Sequence, residues 1–121
     1  MRCISKSQFK ARARRALDKA ATGKRLFVSS ISLWEVALLV AKGRLRLSMP
    51  VATWMGASEA LPFLRFVPVD NAIALLAVTL PGPLHDDPAD RIIAATALSL
   101  GAELVTRDRR LTEYPRLRTL W

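Results

Sequence analysis

Apolar positions follow two rhythms along the chain. Phe9, Ala13, Ala16, Leu17 and Ala20 recur at spacings of three and four, which predicts a helix over residues 7–21 with Gly23 at its stop. Leu26, Phe27 and Val28 then form a short apolar run of strand type ending at Ser29. Ser30 or Ser32 can cap a second helix, which runs to about Lys42 and ends at Gly43. A short helix starts near Pro50 and covers residues 52–60, and residues 65–69 read as a second strand. Residues 71–78 read as a helix capped by Asp70, and Pro81, Gly82 and Pro83 force a loop. The clearest helix covers residues 87–100, with Gly101 after it. Residues 102–106 form a third strand, and residues 118–120 a fourth at the edge.

Helices alternating with short strands imply an α/β fold, with a mainly parallel sheet flanked by helices. In such sheets ligands sit at the carboxyl ends of the strands, so chemistry is sought where strands hand over to helices. A length of 121 residues suits one domain over 1–121, and 51% apolar residues suffice for a core. Cys3 stands alone and His85 is the sole histidine, which excludes a disulfide framework and a Cys/His zinc site. No apolar run reaches the length of about 20 residues that a membrane helix needs, so a cytoplasmic location is expected.

The placement of charge changes the picture further. Nine basic side chains and one acid, Asp18, fall within residues 1–25, so this segment carries most of the net charge of +9. A basic face of this kind attracts phosphate backbones by counterion release, and it would attract an acidic protein as well. Arg12, Arg14 and Arg15 are the candidate RNA contacts.

Three acids stand at the expected junctions. Glu35 interrupts a helix that is apolar nearly all round, where a carboxylate is costly unless something pairs with it. Asp90 follows Asp87-Pro88, whose cap and first-turn chemistry explains much of that stretch structurally. It also heads a stripe of small residues, Ala94 and Ala97, that leaves room for another element or a phosphate. Asp108 lies just past a strand end, as a turn cap or a ligand, and Thr106 could hydrogen-bond and orient its carboxylate. An all-oxygen set suits Mg²⁺ or Mn²⁺, and such an ion can activate water against a phosphodiester.

The same residues carry a resemblance. The stretch 27–37, with Lys42-Gly43-Arg44-Leu45, residues 87–97, residues 104–108, Tyr114-Pro115 and Leu120-Trp121, resembles PIN-domain proteins and, more narrowly, VapC-like toxins of toxin–antitoxin pairs. The resemblance implies a three-layer PIN fold and Mg²⁺- or Mn²⁺-dependent cleavage of RNA. It also implies inhibition by a cognate VapB-like antitoxin, and pairing of two copies. Glu35, Asp90 and Asp108 match three of the family's metal-site acids, with Thr106 and Asp87 in support. The family's opening strand, which ends in a further metal-site Asp, has no match here, so the domain is expected to be incomplete at its N-terminus. An apolar run ending in Asp is expected upstream in frame.

Three readings follow: an endoribonuclease toxin, an inactive remnant that binds a protein or antitoxin, and a structural domain whose acids are only caps and ion pairs. The charge pattern makes a prediction of its own. Neutralising Arg12, Arg14 and Arg15 together should weaken RNA binding and lower the slope of log affinity against log salt by about 2 on single strands. A salt titration of binding checks this, and an unchanged slope would assign the three arginines to solubility.

Overall fold

The computed structural model describes residues 11–23 and 25–121. The elements run α1 (Ala11–Thr22), β1 (Leu26–Ser29), α2 (Ser30–Ala41), α3 (Val51–Glu59), β2 (Leu64–Val67), α4 (Asn71–Thr79), α5 (Pro88–Leu100), β3 (Leu104–Val105), α6 (Arg109–Thr112) and β4 (Thr119–Leu120). The expected α/β order is therefore present. The first residues of the helix expected from position 7 lie outside the described residues, as does Cys3.

Local chemistry explains most of the boundaries. Ser29, rather than Ser30 or Ser32, caps α2: its hydroxyl accepts from the Ile31 backbone N–H at 3.2 Å. Asp70 caps α4 through the Ile73 N–H at 2.8 Å. Asp87 caps α5, Pro88 supplies a pre-set first position, and Gly101 closes that helix at φ 62°. The third strand is shorter than expected, and α6 was not expected at all. Four residues are too few for helical periodicity to register in the sequence.

Both strand pairings are parallel. β1 pairs with β2, setting Leu26 opposite Leu64 and Ser29 opposite Val67, and β3 pairs with β4. Among the described residues these are two separate two-stranded sheets, not one continuous sheet.

The core lies under α4, α5 and the C-terminal segment. Leu80, Leu84, Ala94, Ala97, Leu111, Tyr114 and Leu117 form one buried cluster, and Ile73, Ala77 and Ala95 form a second. The small-residue stripe after Asp90 is thus filled by protein: Ala94 is fully buried and Ala97 nearly so. No phosphate could reach it. Trp34 is exposed, and Trp54 and Trp121 are half-buried. Among the described residues no helix is long and apolar enough to cross a membrane.

The proline-rich loop after α4 is tied from two sides. Arg91 Nε donates to the Ala77 carbonyl at 2.8 Å, and its Nη1 donates to Leu84 at 2.9 Å and His85 at 3.3 Å. Tyr114, 1% exposed, donates its hydroxyl to the Pro81 carbonyl at 2.5 Å. Removing Arg91 would strand carbonyls at the end of α4 and in the loop. Arg91→Ala should therefore lower stability by about 2–4 kcal/mol in a denaturant melt, with Arg91→Lys recovering only part of the loss, because an ammonium lacks the planar fork.

Candidate functional site

Each expected acid is delivered by a strand-to-helix junction or by the start of a helix. Glu35 stands about a turn and a half into α2, which begins where β1 ends. It is half-buried and borders a cavity of about 640 Å³, so it is not sealed in the core. Asp90 is the third residue of α5 and Asp108 immediately precedes α6. Both border the same cavity, as does Asp87. The wall also takes Val28 and Phe66 from one strand pair and Leu104 and Val105 from the other.

The two aspartates do structural and electrostatic work together. Asp87 Oδ1 accepts the Asp90 N–H at 3.0 Å, which leaves Asp90's own carboxylate uncommitted to capping. Asp90 Oδ2 lies 2.7 Å from His85 Nε2. The Nε2–H tautomer donates along this contact and leaves Nδ1 as a bare acceptor. Nδ1 is buried with no partner among the described residues. Asp108 Oδ1 accepts the Arg110 N–H at 2.9 Å and so caps α6. The Thr106 hydroxyl accepts from the Asp108 backbone N–H at 3.1 Å. The bond of Thr106 is thus to the main chain of Asp108, and it shapes the turn that carries the carboxylate.

One nitrogen joins the aspartates. Arg110 Nη2 lies 3.4 Å from Asp108 Oδ2 and 3.6 Å from Asp90 Oδ2. A positive charge thus stands between two carboxylates that the sequence separates by a helix and a strand. Burial alone would raise the Asp108 carboxyl. Hydrogen bonds from the Arg110 side chain and backbone, its charge, and the Leu111 N–H outweigh burial and hold the carboxyl below its ordinary value.

The position of Arg110 tests whether a divalent ion suits the site. Among the described residues no three His, Cys, Asp or Glu side chains are grouped closely enough to hold a metal by themselves. Mg²⁺, however, keeps several waters and is commonly held by one or two carboxylates plus substrate oxygens. A pair of carboxylates that already brackets one cation, with Glu35 on the same cavity wall, fits that requirement in donor chemistry.

The basic residues fall into two groups. Arg12, Arg14 and Arg15 are exposed on α1 and do not line the acid cavity. Arg107, Arg109 and Arg110 do line it. The sequence carried a signal for them: three arginines surround Asp108 at the carboxyl end of a strand. His85, set aside with the zinc site, proves to be a partner of Asp90.

Comparison with known proteins bears on the family of the chain. The PIN domain family model matches residues 2–117. The chain is 41% identical over 98 residues to "Ribonuclease VapC22" of Mycobacterium tuberculosis (strain ATCC 25618 / H37Rv), covering 79% of this chain and 74% of that protein. No solved structure matches.

The lowered Asp108 carboxyl makes stability depend on pH. Its contribution is complete above the ordinary carboxylate value of about 3.9 and is lost as pH falls through the folded value. Asparagine keeps a cap but not a charge. The difference in thermal midpoint between the wild type and Asp108→Asn should therefore be steady above about pH 5 and shrink on acidification below about pH 4. Parallel melts across pH measure it.

Proposed function

Because the chain belongs to the PIN domain family, we propose that it is a metal-dependent endoribonuclease, the toxin of a toxin–antitoxin pair, which hydrolyses RNA phosphodiesters in the cytoplasm. The observation that carries this reading is the shared cavity: Glu35, Asp87, Asp90 and Asp108 border it together with Arg107, Arg109 and Arg110. Acids beside cations on one cavity wall suit a reaction on a phosphate, where an ion and the substrate's negative charge must be held at once.

In this reading Glu35, Asp90 and Asp108 hold a Mg²⁺ or Mn²⁺ ion, and Asp87 supports Asp90 through its backbone N–H. The bound ion would supply an activated water and charge stabilisation on the phosphate. His85 holds the Asp90 carboxylate at 2.7 Å, and both side chains are only 16% exposed. Arg107 and Arg109 contact RNA phosphates near the cavity, while Arg12, Arg14 and Arg15 attract the strand over longer distances. A VapB-like antitoxin is the cognate inhibitor, and two copies of the chain pair.

A second reading, an inactive PIN remnant that binds an antitoxin or another protein, is favoured by one observation: the absence of a three-member ligand cluster among the described residues. Metal separates the two readings, because a ligand that binds only the native state must stabilise it. Millimolar Mg²⁺ or Mn²⁺ should raise the thermal midpoint by about 5 °C or more and support cleavage of single-stranded RNA. Glu35→Gln should keep the fold, lose the midpoint shift and cut RNA at least about a hundredfold more slowly. A wild-type midpoint indifferent to both ions, with no cleavage, would transfer the assignment to the binding module.

A further inference from the structure

Asp90 and Asp108 already have a cation, and it belongs to the chain. The Arg110 guanidinium reaches both through one nitrogen, at 3.6 and 3.4 Å. The side chain is 57% exposed and springs from the four-residue helix α6. Its backbone N–H is held separately by Asp108 Oδ1, so the side chain can leave without undoing the cap. An ion pair this exposed is weak and readily exchanged. A divalent ion placed between the same oxygens would repel the guanidinium over a few ångströms. The freed arginine would remain tethered at the cavity with donors suited to a phosphate.

We infer that Arg110 is an internal counter-ion of the acid pair, which a divalent metal must displace and which is thereby handed to the RNA phosphate. The inference rests on the metal-dependent reading. It gives Arg110 a positioning role with opposite effects on two ligands: it opposes the metal and favours the nucleic acid. A merely structural arginine would weaken both when removed.

Arg109 supplies the control for metal binding alone. It is the adjacent residue with the same charge, but its side chain is 88% exposed and pairs with Glu113 at 3.4 Å instead of with the acids. Mn²⁺ binding to the full chain can be followed by loss of the paramagnetic resonance signal of the free aquo ion. Arg110→Gln should bind Mn²⁺ roughly three- to tenfold more tightly than wild type, the combined effect of two exposed pairs, while Arg109→Gln stays within about twofold. At saturating Mn²⁺, Arg110→Gln should bind a non-cleavable 2′-O-methyl oligonucleotide at least about threefold more weakly. Unchanged or weaker Mn²⁺ binding by Arg110→Gln, or unchanged oligonucleotide affinity, overturns the inference and leaves the metal reading standing. No Mn²⁺ binding by any of the three proteins overturns both.

Discussion

The Arg91 guanidinium is the contact on which the arrangement of this site depends. It leaves α5 one residue after Asp90 and binds carbonyls of Ala77, Leu84 and His85. That one planar group fixes the end of α4, the path of the proline-rich loop and the position of His85. Tyr114 ties the same loop at Pro81 from the C-terminal segment, which also carries α6. Gly82 supplies the turn between them at φ 81°, a backbone region costly for other residues. Asp90 and Asp108, although carried by different elements, are therefore referred to one rigid loop and one buried cluster.

The acids are doubly employed, and this clarifies what each can contribute. Asp87 spends an oxygen on capping α5 and Asp108 spends one on capping α6. Asp90 is relieved of capping by Asp87 and has its carboxylate turned to His85 and Arg110. Such division is economical, because a capping aspartate is already fixed in direction and loses little further freedom on taking a second partner. It also means that a structural account and a functional account of these residues are not rivals: the cap places the carboxylate that the chemistry would use.

Charge acts at two ranges. The basic face of α1 sets a field over the molecule without bordering the acid cavity. Arg107, Arg109 and Arg110 act at contact distance, and two of them are already committed to carboxylates. The Arg107 guanidinium additionally lies over the Trp121 ring, 5.8 Å from its centre, which steadies the rim where the last strand ends.

Elements whose signals are local were legible in the chain. The Asp70 and Asp87 caps, the Gly101 stop and the first strand at residues 26–29 all lie within a turn of the backbone groups they satisfy. The candidate acids could be singled out for the same reason, since a helix-cap acid, an acid after a strand and a lone acid in an apolar helix are local patterns. The family blocks in the sequence, from residue 27 to the closing Trp121, pointed to the membership that the family match bears out. What could not be read there was partnership. His85 with Asp90, Arg110 with Asp90, Arg91 with the end of α4 and Tyr114 with Pro81 are contacts between side chains and groups on other elements. The division of the strands into two pairs, and the filling of the Ala94–Ala97 stripe by core rather than ligand, are of the same kind. Sequence spacing determines which face of an element a residue occupies. Only packing determines what that face meets, because the choice among partners follows from burying the whole core at once.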